Sequence, residues 1–286
     1  MDLEGKVAIV TGASRGAGAA TAVALGEAGC GVACAARSTA DHPQRTPGTL
    51  DETVRQVEAA GARALAVPTN LADEADIAAM VATTVEHFGR VDILVNNAAI
   101  TFVGDLDIPM KRHDLVMEVN LRAPLLAIRE VKAHMARQGG GAILNVSSVA
   151  ALYPHPGLMS YGMSKVALER LTVDAAMQLQ PDGIAVNCFR IDVPVASEGF
   201  VANTPGVDRS TWEPCEVAAE GIVWMLRQPA SYSGRRESML RLRKREGIMA
   251  SRAEREFEGP LPPDELFDGL APLTTTTFRE PYSDGP

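Results

Sequence analysis

The chain has 286 residues, 46% of them hydrophobic and 22% charged, with a formal net charge of −9. This much apolar material supplies a sizeable core and excludes general disorder, while the acidic balance argues against nucleic acid or an anionic membrane surface as a main partner. No run approaches the roughly 20 apolar residues that span a bilayer; the acidic start Met1-Asp2-Leu3-Glu4 does not read as a secretory leader; and four scattered cysteines and five scattered histidines give neither a disulfide framework nor metal-ligand spacing, so a cytoplasmic protein with reduced thiols is expected.

In chain order, short runs at 7–10, 32–35, 64–67, 91–95, 142–146 and 184–189 read as strands. They are continuously apolar rather than alternating, as strands buried on both faces are. Between them, helical periodicity predicts helices over 16–28, 50–60, 73–88, 111–137, 158–179 and 214–227. Strand-helix repetition predicts a parallel sheet covered on both faces, with right-handed crossovers. One interruption is the stretch 38–49, STADHPQRTPGT, which is long for a strand-to-helix connection. The other is the end of the chain. Six of the eleven residues 235–245 are basic, interleaved with Glu237 and followed by Glu246, and read as a solvated helix face. A short last strand, one helix and an extended tail are expected, dividing the chain into a body over 1–240 and a C-terminal part over 241–286. Beyond Pro263, Leu266, Phe267, Leu270, Leu273 and Phe278 are too apolar for a purely solvating tail and predict docking on the body or a neighbour.

The first strand runs into Thr11-Gly12-Ala13-Ser14-Arg15-Gly16-Ala17-Gly18, and a helix follows. Glycines remove side chains where a ligand must approach the backbone, and the helix N-terminus offers free N–H groups and partial positive charge to a pyrophosphate. Further on, Tyr161 and Lys165 lie four apart in a helical segment and share a face. A free phenol with a pKa of about 10 is a poor base near neutrality. A nearby ammonium favours the phenolate, so the pair is a means of making a phenol transfer protons.

These features form part of a longer series. The loop T-G-x-x-x-G-x-G is followed by Asn96-Asn97-Ala98-Ala99 at the end of the fourth strand, Asn120 in mid-helix, Ser148 after the fifth strand, and Tyr161-Gly162-Met163-Ser164-Lys165. Five separated motifs in this order resemble the short-chain dehydrogenase/reductase family over about residues 5–240. The long 38–49 loop and the segment Phe189-Arg190-Ile191-Asp192-Val193-Pro194 together resemble, more loosely, its subgroup of hydroxysteroid dehydrogenase-like proteins and citronellol dehydrogenases.

The resemblance implies one doubly wound Rossmann-type α/β sheet of order 3-2-1-4-5-6-7. It implies that Tyr161 is the acid/base, that Ser148 (rather than Ser147) holds the substrate oxygen, and that Lys165 lowers the Tyr161 pKa and holds the nicotinamide ribose. Asn120 would hold a water linking Lys165 to solvent. Cofactor contacts are implied at Gly12, Ser14, Arg15, Gly16, Ala17, Gly18, Arg37, Ser38, Asn70, Leu71, Asn97, Ala98, Ala99, Tyr161, Lys165, Ile191 and Val193, with Ser197 a further candidate. Ala36 stands where NAD-preferring relatives carry Asp, and Arg37 and Arg15 suit a 2′-phosphate, so NADP(H) is preferred and NAD(H) remains possible. Asn70 and Ala99 depart mildly from the family pattern. The usual Pro-Gly after the sixth strand is replaced by Arg190-Ile191-Asp192-Val193-Pro194.

The expected activity is hydride transfer between NADP(H) and a hydrophobic alcohol or ketone. Reduction of an imine or activated alkene, and a non-catalytic nucleotide-binding regulator, are the alternatives. Ile100, Phe102, Ala151, Leu152, Tyr153, Leu158, Met159 and Phe200 are the candidate pocket wall. By analogy, helices 111–137 and 158–179 pair with their copies in a homodimer or homotetramer.

Overall fold

Continuous apolar runs favour strands with helices on both sides, and that is how the chain folds. The computed structural model describes residues 1–259 and 261. Among them, β1 (Val7–Thr11), β2 (Gly31–Ala36), β3 (Ala64–Pro68), β4 (Ile93–Asn96), β5 (Gly141–Ser148), β6 (Ile184–Ile191) and β7 (Arg236–Ser238) form one sheet. Its order is β3-β2-β1-β4-β5-β6-β7, and every neighbouring pair is parallel. Ala8 pairs with Val32 on one side and Ile93 on the other, so β1 is interior.

Successive strand residues point to opposite faces. Ala8, Val10, Val32 and Ile93 share one core with α1 (Gly16–Glu27), α2 (Leu50–Ala59) and α8 (Cys215–Leu226). Ile9, Ala33 and Leu94 share the opposite core with α3 (Glu74–Phe88), α5 (Ala123–Arg137) and α6 (Met159–Leu179). The remaining helices are α4 (Met110–Met117), α7 (Glu198–Asn203) and α9 (Met239–Glu246). Right-handed crossovers in such a sheet bring the carboxyl ends of the strands, and the loops that follow them, to one edge.

Three features differ from the sequence pattern. The predicted helix 111–137 is α4 and α5 joined by a π-helical turn at Glu118–Arg122, which contains Asn120. The short α7 has no periodic signal, since it is less than two turns of polar and apolar residues. The division at 240 falls within α9, whose Met239, Leu240 and Leu242 are buried in the same core as β1. For that reason the basic run 235–245 is not a solvated face throughout: Arg236 and Arg243 are buried. The apolar tail residues Leu266, Phe267, Leu270, Leu273 and Phe278 lie outside the described residues.

Candidate active site

Two loops at the carboxyl edge are stitched together by Thr11, the last residue of β1. Its hydroxyl donates to the Val95 carbonyl at 3.2 Å and accepts from the backbone N–H groups of Asn97 and Ala98 at 3.1 Å each. Asn97 Nδ2 returns a bond to the Thr11 carbonyl at 2.8 Å. This contact leaves no room for a side chain at Gly12 or Gly18. A Cβ on Gly12 would lie 2.8 Å from Ala98 Cα, and one on Gly18 would overlap the Gly12 carbonyl oxygen. Residues 11 and 97 thus bring the phosphate loop and the Asn97-Ala98-Ala99 segment together, and Ala99 is exposed at the cleft.

The N-terminus of α1 has no side-chain cap and no acidic residue in its first turn. Side-chain caps are present at Thr49 on α2, Asp73 on α3, Ser197 on α7 and Ser238 on α9, whereas α4, α5, α6 and α8, like α1, have none. The first-turn N–H groups of α1, at Gly16, Ala17 and Gly18, are left for an anion. Gly16 faces Ser197 and Glu198, so the segment after β6 passes over this loop. A close backbone approach at glycines that admit no Cβ, beside an uncapped helix end, fits the pyrophosphate of a dinucleotide.

The adenosine side is arranged differently from expectation. Ala36 ends β2 and Arg37 is exposed. Arg15, however, does not project from the loop as a free guanidinium. Its Nε donates to the Pro47 carbonyl at 2.6 Å, and its Nη2 to those of Thr46 and Gly48 at 2.9 and 3.1 Å. The Ser38 hydroxyl is likewise turned inward, onto the Gly48 carbonyl at 2.8 Å. The long loop folds back on the phosphate loop, and its carbonyls take the donors that the sequence assigns to a cofactor. Asn70 is exposed and Leu71 half-buried.

On the side expected to take the nicotinamide, Ser148 ends β5; its Oγ accepts from the Ala150 N–H at 3.3 Å and lies where it favours the phenolate of Tyr161. The adjacent Ser147 points to the opposite face, where its hydroxyl donates to Glu169 at 2.8 Å. Strand alternation therefore selects Ser148. Lys165 is buried, with its Nζ donating to the Val146 carbonyl at 2.8 Å and lying 5.5 Å from the Tyr161 ring centroid. Burial lowers its pKa to about 8, opposed by the fields of Cys188 and Glu169. Burial also raises the Tyr161 phenol, and the nearby Ser148 hydroxyl opposes that. The phenol is therefore raised, not lowered by Lys165 as the resemblance implies.

Asn120 is fully engaged. Its Oδ1 accepts from the Ile100 N–H at 2.8 Å, while its Nδ2 donates to the Ile100 carbonyl at 2.9 Å and to Ser164 Oγ at 3.1 Å. The side chain braces backbone rather than standing free for a water. The π-helical turn directs it there.

Of the expected pocket wall, Ile100, Phe102, Leu152, Leu158 and Met159 are half-buried, and Tyr153 and Phe200 are exposed. Phe200 stacks on Trp212 at 4.6 Å. Ala151 is buried in its turn and lines little. Ile191 is half-buried, but the Val193 side chain belongs to the core, leaving only its backbone for a ligand. The absent Pro-Gly has a structural counterpart. Arg190 makes a buried bidentate pair with Glu169 at 2.9 and 2.6 Å. Asp192 accepts from the Ser238 hydroxyl and from the Leu240 N–H, tying β6 to α9. Three further residues, Thr11, Glu169 and Glu213 (the buried partner of Arg243 at 2.8 Å), lie outside the sequence expectations. Thr11 was signalled by its place before Gly12 and Glu169 by its helical spacing from Lys165, whereas Glu213 carries no local signal.

Among the described residues, no group of three or more His, Cys, Asp or Glu could hold a metal, and no helix is long and apolar enough to cross a membrane. The short chain dehydrogenase family profile matches residues 6–193. The chain is 34% identical over 244 residues to 2-(R)-hydroxypropyl-CoM dehydrogenase of Xanthobacter autotrophicus, covering 79% of this chain and 93% of that protein. It is 30% identical to hydroxysteroid dehydrogenase-like protein 2 of Danio rerio, over 99% of this chain and 72% of that one. It is 38% identical to an uncharacterized NAD-dependent oxidoreductase of Mycobacterium tuberculosis, over 68% of this chain and 74% of that one. The profile match runs from the start of β1 to just beyond β6 and takes in the glycine loop, Asn120, Ser148, Tyr161 and Lys165: the chain belongs to the short-chain dehydrogenase family of oxidoreductases, which use nicotinamide cofactors.

Proposed function

We propose that this protein is an NADP(H)-dependent alcohol dehydrogenase or ketone reductase acting on a hydrophobic substrate. The observation that carries the reading is the buried Lys165 Nζ lying 5.5 Å from the Tyr161 ring centroid, with Ser148 at the end of β5 and an uncapped helix N-terminus on the same edge of the sheet. When bound, the nicotinamide supplies or accepts the hydride. Tyr161 gives its phenolic proton to the substrate oxygen in reduction and takes it back in oxidation. Ser148 donates a hydrogen bond to the same oxygen. Lys165, fixed on the Val146 carbonyl, faces the ring and the nicotinamide ribose. A phenol raised by burial holds its proton firmly and is suited to the acid role.

Gly12, Gly16, Ala17 and Gly18 hold the pyrophosphate through backbone. Asn70 and Leu71 flank the adenine, while Asn97, Ala98, Ile191 and Val193 flank the nicotinamide. The NADP(H) preference rests on Arg37 and on the absence of a carboxylate at Ala36. The engagement of Arg15 by loop carbonyls, together with the NAD-dependent relative, favours NAD(H) as the second reading. The half-buried apolar residues Ile100, Phe102 and Leu158 favour a hydrophobic carbonyl, and the name of the Xanthobacter relative is that of a secondary-alcohol dehydrogenase. A cytoplasmic homodimer or homotetramer is part of the proposal. Leu115, Leu125 and Met163 are exposed on α4, α5 and α6, and light scattering should report more than one copy.

The decisive experiment is a panel of apolar ketones and alcohols, followed by absorbance of NADPH and NADH. Turnover of a carbonyl–alcohol pair, faster with NADPH, is expected. Cofactor binding with no turnover across the panel would overturn the reading.

A further inference from the structure

The stretch between β2 and α2 is an excursion with its own anchors. At its base the Leu50 N–H donates to the Ser38 carbonyl at 2.9 Å, and Thr49 caps α2. The returning limb, Thr46-Pro47-Gly48, lies against the phosphate loop. Three consecutive carbonyls converge there on one guanidinium, that of Arg15. Gly48 has φ +103°, and a Cβ on it would overlap the Ser14 carbonyl oxygen and come within 2.8 Å of Arg15 Cβ. One turn into α2, Thr53 Oγ1 donates to the Ala13 carbonyl at 2.8 Å. The loop and residues 13–15 are therefore packed as one unit.

We infer that Arg15 is a clasp: a positioning residue that closes the 38–49 loop onto the phosphate loop, and not the ligand of a cofactor phosphate. The geometry supports this through the edge of the guanidinium in use. Recognition of a phosphate by a planar fork employs two parallel N–H donors. The Nε and Nη2 donors on one edge of Arg15 are committed to carbonyls. Arg37, by contrast, is exposed at the end of β2. The two arginines thus divide the work: Arg15 sets the shape of the adenosine end for any dinucleotide, and Arg37 alone distinguishes a 2′-phosphate from a hydroxyl. This inference rests on the reading that the loop holds a nicotinamide dinucleotide with Arg37 beside its adenosine ribose.

The test has an arm that needs no cofactor. Arg45 is exposed near the tip of the excursion, and proteolysis follows the population of locally open forms. In the cofactor-free protein, Arg15→Met and Arg15→Lys should raise trypsin cleavage at the Arg45–Thr46 bond about tenfold, followed by mass spectrometry. Lysine keeps the charge but gathers its donors on one nitrogen and lacks the planar Nε–Nη2 edge that meets the three carbonyls. Gly48→Ala, which leaves Arg15 intact and crowds the contact, should give the same signature and guards against misfolding of the Arg15 variants. In fluorescence titrations, Arg15→Lys should weaken NADPH and NADH by the same factor, about fivefold, through loss of charged hydrogen bonds. Arg37→Ser should change their ratio. Unchanged cleavage in the Arg15 variants, or weakening of NADPH alone by Arg15→Met, would overturn the clasp. If the Arg15 and Gly48 variants open the loop but Arg37→Ser leaves the ratio unchanged, the NADP(H) reading fails and the clasp stands.

Discussion

The proposed catalytic site around Lys165 (the floor) and the frame behind it both bury cations, but they treat them oppositely. In the frame, Arg190 is paired with Glu169, and Arg243 with Glu213 at 2.8 Å, all four side chains being almost fully buried. Glu213 also accepts from Ser251 Oγ and the Arg252 N–H, which joins the C-terminal segment to the strand-end loop at Pro194 and Ala196. On the floor, Lys165 has a carbonyl instead of a carboxylate as its hydrogen-bond acceptor. A neutral dipole does not compensate desolvation as a full charge does. The Lys165 pKa consequently falls to about 8, while the paired Arg190 is held above its ordinary value by Glu169 despite its burial. A structural cation is neutralised in place, whereas Lys165, the cation proposed to influence a proton transfer, is left under-compensated, near neutral pH.

The largest test of this contrast is Tyr161→Phe. The ring and its packing remain, but the proposed proton carrier is gone. We expect kcat to fall by about 10²–10⁴-fold, with cofactor affinity within about twofold of the parent. Stopped-flow or steady-state rates showing less than about a threefold loss would remove Tyr161 from the role and leave Lys165 without a purpose on the floor.

Next is the frame. Glu169→Leu should destabilise the fold by about 3–5 kcal/mol, because it leaves Arg190 buried and unpaired. Adding Arg190→Leu should restore most of the loss, as replacing both members of a buried pair often does. Urea denaturation of the single and double variants measures both. Equal losses in the two would show that the pair is not what balances this region.

The smallest effect is the pH dependence of stability that Lys165 confers. Its folded pKa is lowered relative to the unfolded value, so between pH values of about 8 and 10.5 the unfolded chain binds more protons. The contribution of Lys165 is therefore least favourable below about 8 and improves as pH rises through that window. The stability advantage of Lys165→Met over the parent should accordingly shrink between pH of about 7.5 and 10. A constant difference across that range would mean that the ammonium is compensated after all, and the contrast with Arg190 would disappear.

Much of this molecule is governed by patterns that are local along the chain. Unbroken apolar runs such as Ala8–Val10 specify strands buried on two faces. The glycines at 12, 16 and 18 specify a backbone approach, the four-residue interval from Tyr161 to Lys165 places both on one helix face, and the serine-to-tyrosine interval selects Ser148 over Ser147. Each depends on steric rules or periodicities that operate within a few residues, or on a spacing that marks the family. What the tertiary structure decided concerns partners remote in sequence. Arg15 looks like a phosphate ligand until the carbonyls of Thr46, Pro47 and Gly48 close on it. Arg243 looks solvated until Glu213, thirty residues away, meets it in the core. The Asn120 amide looks free until a π-helical turn aims it at Ile100. Sequence determines what a polar group can donate or accept; only packing determines whether a carbonyl, a carboxylate or solvent satisfies it, because burial makes that demand and burial is a property of the whole fold.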